Sequence, residues 1–208
     1  MNIDLKLGDI ILVANNKKTG IRGFYAKAIK YFTETNWTHT AIGAGIIGTT
    51  PVFFEADTHV LIDSAALTFD DPGYNTAVYR HKYLTAEQQI QVMDKLFSKF
   101  NDKIYGYLKI LYFLRRWFWT RKHVLRYMGW ILDLIGKSRD TRNWNNWFVN
   151  GTICSEVAWW TIYFQEELYP NSELHSWLVQ WNSNNYEPKD ADQTLEKFSN
   201  LYELIYSK

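Results

Sequence analysis

The chain has 208 residues, 47% of them apolar, enough for one domain with a full core and too apolar for a disordered chain. A net charge of +1 points to no polyanionic partner for the chain as a whole, and a single cysteine excludes an intramolecular disulfide. The start, MNIDLKLGDIILV, lacks the features of a signal peptide, and no uncharged apolar run reaches the ~18 residues of a membrane span, so a cytoplasmic protein is expected.

In chain order, GDIILVA (8–14) predicts a compact apolar strand and IRGFYAKAIKYF (21–32) a helix. TNWTH then leads into TAIGAGII (40–47), a strand of small residues. GTTP (48–51) breaks it, and VFFEADTHVLI (52–62) returns as a second strand, the pair reading as a β-hairpin with a longer loop. NTAVYRHKY (75–83) predicts a further strand. Thr85 and Gln88 form a capping box for a helix carrying Ile90, Met93, Phe97 and Phe100 on one face. From Val157 a buried helix is expected, since Val157, Trp160, Thr161, Phe164 and Leu168 recur at helical spacing, with Thr152 as its N-cap. The polar tail reads as a loop, NSNNYEPKD, followed by TLEKFSNLYELI as a last short helix or strand. Strands and helices are segregated rather than alternating, so one α+β domain over 1–208 is expected.

This reading places the lone cysteine, Cys154, in the first turn of a helix. Unpaired backbone N–H groups and the helix dipole lower a thiol pKa at such a position. A thiolate nucleophile needs a base, and His39 enters the small-residue strand with Ala41, Gly43 and Gly45 on its face. Those small neighbours leave the face open for an approaching substrate or helix. On the returning strand Glu55, Asp57 and His59 share one face, and any of them is a candidate to orient the imidazole. A pairing centred on Thr49 puts His59 opposite His39, and a shift by two brings Glu55 there instead. His175 follows the cysteine too closely for a helix and two strands to intervene, and ranks below His39. His81 and His123, flanked by charge, read as solvated.

LGDIILV, THTAIGAGII, PVFFEAD and ICSEVAWW, in that order, resemble the YiiX-like family, the circularly permuted branch of the NlpC-type papain-fold cysteine peptidases. The resemblance covers residues 6 to 165. It implies an antiparallel sheet packed on a nucleophile helix, with Cys154 as nucleophile, His39 as general base and Glu55 as the residue orienting the imidazole. NDKIYGY is similar to the family's Gly-x-Pro-Tyr-Asp stretch at Tyr105, a candidate substrate contact, while Asp102, Ile104 and Gly106 depart from it.

Residues 107–148 leave the family pattern and read as a helical insertion. Nine Lys and Arg stand there against two acids, +7 locally and −6 for the rest of the chain, interleaved with Trp117, Trp119 and Trp130. A lid over the cleft is expected ahead of a membrane-surface contact, and nucleic acid is not expected because no binding motif accompanies the charge. Trp144, Trp147 and Phe148 lie close enough before Cys154 to line the cleft wall, with Trp147 and Phe148 as candidate substrate contacts. The expected activity is thiol hydrolysis of an amide bond in a small or cell-wall-type peptide, with no metal or cofactor. The alternatives are a thiol acyltransferase or lipid hydrolase of the lecithin–retinol acyltransferase type, acting on an acyl-bearing substrate, or a non-catalytic binding module on the same fold.

Overall fold

The computed structural model describes residues 4–16, 27, 29–31, 35–47, 50–56, 60–64, 69, 71–100, 154–181, 183 and 186–208. The described strands are β1 (Ile10–Asn15), β2 (His39–Ile47), β3 (Thr50–Ala56), β4 (Val60–Ser64), β5 (Tyr74–His81) and β6 (Tyr202–Ser207). The described helices are α1 (Ala86–Phe100), α2 (Cys154–Leu168), α3 (Ser172–Val179) and α4 (Pro188–Lys197). The strands form one antiparallel sheet in the order β4–β3–β2–β1–β5–β6, so the fold is α+β. The insertion at 107–148 and Thr152 lie outside the described residues, and of the helix expected over 21–32 only residues 27 and 29–31 are described, all helical.

β1 is apolar at nearly every position because it is central and covered on both faces. Ile10 and Leu12 face one way and join Ile42, Phe54 and Ala56 in a core closed by Val92 and Leu96 of α1 and by Val157 and Ile162 of α2. Ile11 and Val13 face the other way, with Leu5, Ala41, Phe53, Phe69 and Val78. Thr85 and Gln88 cap α1 as expected, each side chain accepting from the other's backbone N–H, at 2.9 and 3.3 Å.

The β2–β3 hairpin differs from the sequence reading in a way that matters for function. Ile47 pairs with Thr50, so its loop is two residues and not a longer one. The ladder shifts between Gly43 and Gly45, leaving Ala44 as a bulge, and beyond it Ala41 pairs with Glu55. Gly45 sits at φ 97°, where a side chain would be strained. Neither expected register occurs: Glu55 pairs with Ala41, two residues along from His39, rather than with His39 itself. The strand expected over 52–62 is in fact two, because the chain reverses and Ala56 pairs with Val60. Of the three candidates, Glu55 lies in β3, while Asp57 and His59 lie outside the described residues.

The small residues beside His39 admit the protein's own backbone. A methyl group on Gly43 would lie 2.3 Å from the Lys6 carbonyl oxygen. Gly8 N–H donates to Gly43 O at 2.9 Å, and Gly43 N–H donates to Asp9 O at 2.7 Å. This part of the strand is filled by the Lys6–Asp9 turn rather than left open, while a helix, the other expected neighbour, is present as α2 packed on β2. The turn is itself held by Asp9, 1% exposed, whose carboxylate accepts from Arg80 Nε and Nη2 at 2.9 and 2.8 Å and from Lys6 N–H at 2.8 Å.

Two further corrections concern the second half of the chain. TLEKFSNLYELI is neither one helix nor one strand: α4 runs to Lys197 and β6 starts at Tyr202. NSNNYEPKD is not wholly loop, because Pro188 opens α4 and a capping box joins Glu187 and Asp190. His81, read as solvated, is 4% exposed, since the last residue of β5 is packed against Tyr83, Tyr169 and Tyr202. Its charged neighbours in sequence are turned away from it by strand alternation.

Two outcomes follow from these contacts. Gly43→Ala is expected to cost about 1–3 kcal/mol in urea unfolding, because backbone must move rather than a flexible side chain; an unchanged midpoint would contradict the close approach. Burial pushes the His81 imidazole down to about 4, below its unfolded value of 6.5. The unfolded chain then binds the proton more readily, so the stability contributed by neutral His81 is lost as pH falls from about 6.5 toward 4. The melting temperature should drop over that window more steeply in the wild type than in His81→Phe.

Candidate active site

Cys154 and His39 are each the first residue of their element, α2 and β2, and they meet where α2 packs on β2. The Cys154 side chain, 5% exposed, hydrogen-bonds the His39 ring and accepts from the backbone N–H groups of Thr40 and Ser155. His39 Nε2 lies 2.6 Å from Glu55 Oε2. That leaves Nδ1 as the nitrogen for the sulfur. The three side chains form one line of hydrogen bonds from thiol to imidazole to carboxylate.

The register explains why Glu55 reaches His39. Their positions are diagonal on one face of neighbouring strands, with Ala41 opposite Glu55 and too small to block the path. Thr38 secures the start of β2: its N–H and Oγ1 both donate to Val13 O, at 2.8 and 3.1 Å, and Oγ1 accepts from Asn15 N–H at 3.0 Å. His39 is thus delivered from a fixed strand end.

Electrostatics couple the pair. Burial alone pushes the His39 imidazole down, but the Cys154 sulfur and the Glu55 carboxylate outweigh it and hold the ring well above its usual 6.5. Burial likewise pushes the Cys154 thiol up, and the His39 ring with the Thr40 and Ser155 amides brings it below its usual 9.0. Both directions favour a thiolate–imidazolium pair, a nucleophile formed in advance and a proton donor beside it.

His175 stands apart. Its Nδ1 is 3.0 Å from Glu166 Oε2, and Glu166 is three turns along α2 from the cysteine, about 18 Å at helical rise. Asp57 and His59, and the candidate substrate contacts Tyr105, Trp147 and Phe148 together with Trp144, lie outside the described residues.

Three supports were not anticipated. The Ser155 hydroxyl donates to Tyr186 O at 2.5 Å, and Gln165 on α2 bridges Gly8 O at 2.9 Å to the Tyr202 hydroxyl at 3.0 Å. Trp37, two residues before His39, is packed against the main core. Only the Glu187-Pro188-x-Asp190 start of α4 carried a local signal, an acid at N3 with Pro at N1. Among the described residues no group of three His, Cys, Asp or Glu side chains is placed to hold a metal ion, and no helix is long and apolar enough to cross a membrane.

No protein-family model matches the chain, and no curated protein matches it. Among solved structures it is similar to metalloprotein yiiX from Escherichia coli O157:H7, at 24% identity and a TM-score of 0.39. The similarity covers 50% of this chain and 54% of that one, so the chain spans about half the length of the protein it matches.

The ionisation of the pair is open to measurement by alkylation with iodoacetamide. An ordinary thiol of pKa ~8.5 is only ~0.3% thiolate at pH 6. Cys154 is expected to react at pH 6 within a few-fold of its rate at pH 8, and His39→Ala to lose that low-pH reactivity. A wild-type rate rising tenfold per pH unit from 6 to 8 would contradict the ion pair.

Proposed function

We propose that the protein is a thiol hydrolase of the circularly permuted papain-like type, acting on an amide bond in a small or cell-wall-type peptide. The observation that carries this reading is the continuous hydrogen-bonded line Cys154–His39–Glu55, with its sulfur at a helix start and its imidazole fixed by a carboxylate at 2.6 Å. Cys154 is the nucleophile, His39 the general base and acid, and Glu55 the residue that orients the ring.

The steps balance without any further reactant than water. The Cys154 sulfur attacks the carbonyl carbon, and the C=O electron pair moves to oxygen. Backbone N–H groups at the start of α2, that of Cys154 among them, stabilise the oxyanion. Collapse expels the amine, which takes its proton from His39 Nδ1, and leaves a thioester on Cys154. Neutral His39 then takes a proton from water, whose oxygen attacks the thioester, and the acid leaves with Cys154 restored. Glu55 keeps Nε2 engaged throughout, so the nitrogen facing the sulfur is the one that loses and regains the proton.

The family resemblance read from the four motifs supports the same assignment, since Cys154, His39 and Glu55 are the positions it marks. An acyl acceptor other than water would make the same site a transferase, and the product tells the two apart. The test uses a set of short peptide amides and acyl esters, with intact-mass detection of the trapped thioester. Wild type should accumulate an acyl adduct on Cys154 and release acid. Cys154→Ala should give neither, and Glu55→Gln should turn over on the order of 10²-fold more slowly while remaining folded. Absence of any adduct across amides and esters would leave the protein a binding module.

A further inference from the structure

Cys154 is the first residue of α2, and a helix end is the part of a helix most prone to fray. The first N–H groups there have no partner within the helix, so the first turn relies on contacts outside it. Ser155 supplies one. Its buried hydroxyl donates to the Tyr186 carbonyl at 2.5 Å, across 31 residues of sequence. That acceptor is itself fixed. Tyr186 is fully buried just before the N-cap of α4, and its own hydroxyl lies 2.7 Å from Thr194 Oγ1 and 3.1 Å from Asp190 O, both on α4. Trp177 of α3 donates its indole N–H to the same Thr194 hydroxyl at 2.9 Å. The start of α2 is thus bonded to a junction that α3 and α4 hold together.

We propose that Ser155 is a positioning residue, which keeps the Cys154 sulfur against His39 by tying the first turn of α2 to the Tyr186 carbonyl. The proposal rests on the thiol-hydrolase reading and deepens it. A hydroxyl has one proton to donate, and that of Ser155 is committed to Tyr186, so Ser155 takes no part in proton transfer. The proton shared by sulfur and imidazole is sensitive to their separation, whereas the fold as a whole is not. Ser155 is one peptide from the sulfur, so loosening it moves the thiol before it moves the core. The bond adds no charge. The titratable groups around the pair are His39 on β2, Glu55 on β3 and, on α2 itself, Glu156, two residues from Cys154. Glu187 and Asp190 at the start of α4 accept from each other's backbone N–H, and burial holds the Tyr186 hydroxyl neutral, well above its usual 10. A change in ionisation on removing the bond is therefore a change in the Cys154–His39 pair.

The test is the pH profile of Cys154 alkylation by iodoacetamide, read beside the melting temperature. Ser155→Ala removes the donor, and Tyr186→Phe keeps the carbonyl but frees its residue from Thr194 and Asp190. Thr161→Val is the control, since the Thr161 hydroxyl is also buried on α2 but bonds within its own helix, to Val157 O at 2.8 Å. Ser155→Ala is expected to lose about tenfold of the rate at pH 6, and Tyr186→Phe about threefold. Little should change at pH 9, where an ordinary thiol of pKa ~8.5 ionises unaided. Thr161→Val should keep the wild-type profile whatever its melting temperature. A wild-type profile in Ser155→Ala would overturn the proposal, and so would an equal loss in Thr161→Val, which would mean general loosening of the helix. A loss in Ser155→Ala with none in Tyr186→Phe would also overturn it, since the hydroxyl would then act on the sulfur directly. If Ser155→Ala does not fold, Tyr186→Phe read against Thr161→Val decides. A wild type with no reactivity at pH 6 would remove the Cys154–His39 pair itself, and the proposal with it; a normal wild type with unresponsive variants removes the role of Ser155 only.

Discussion

One extra residue in β2 decides where everything else at the site points. With a two-residue loop and no bulge, the ladder begun at Ile47 and Thr50 would set Ile42 opposite Glu55. Glu55 would then share the face of Ile42 and point away from His39, because a slip of one residue turns every side chain over. The bulge at Ala44 restores the parity. It sends Phe54 to the core with Ile42, Phe53 to the other face with Ala41, and Glu55 to the side of His39. Gly45 permits the bulge through its positive φ. Gly43 lets the Lys6–Asp9 turn close against it, and the bidentate Arg80–Asp9 contact holds that turn in place.

Given that geometry, the charge state follows from a contest between burial and pairing. Each member of the Cys154–His39 pair would be neutral if buried alone. Two unit charges about 4 Å apart attract by about 4 kcal/mol at an effective dielectric of 20, enough to oppose the desolvation of both when amides and a carboxylate help. Here the Thr40 and Ser155 amides serve the sulfur and Glu55 serves the ring. Losing any one helper weakens both partners, since each charge is the main support of the other.

What the sequence made legible was the placement of the candidate residues and the α+β class, and what it concealed was register. A cysteine at the start of an apolar helix, a histidine at the start of a strand and an acid on the next strand are local features, and each is where local rules put it. The pairing that joins His39 to Glu55 depends on a two-residue loop and a bulge, neither of which alternation alone can count. The same blindness explains His81. Arg80 and Lys82 make its neighbourhood look wet, yet strand alternation turns His81 inward among three tyrosines. Gly43 and Gly45 were read as room for a substrate or a helix, but one accommodates backbone and the other a positive φ, and nothing in composition separates these uses. Long-range hydrogen bonds such as Gln165 to Gly8 leave no periodic trace at all.

A thiol at a helix start is only as well placed as the helix, and α2 is pinned along its whole length. Near its start Ser155 is bonded to Tyr186. In its middle Thr161 bonds back to Val157 O at 2.8 Å, so this buried hydroxyl is satisfied within the helix. Toward its end Gln165 reaches both Gly8 and Tyr202, and the last carbonyl, Leu168 O, accepts from Gln88 Nε2 at 3.1 Å. Gln88 is also half of the capping box of α1, so the start of one helix fastens the end of the other. These contacts involve buried polar groups that are costly to leave unpaired, which penalises any slide of α2 along the sheet. The Gly8 contact belongs to the same turn that closes on Gly43 beside the bulge. The element that carries the thiol and the strand that carries the imidazole therefore share one anchor, and a shift of that turn would move both.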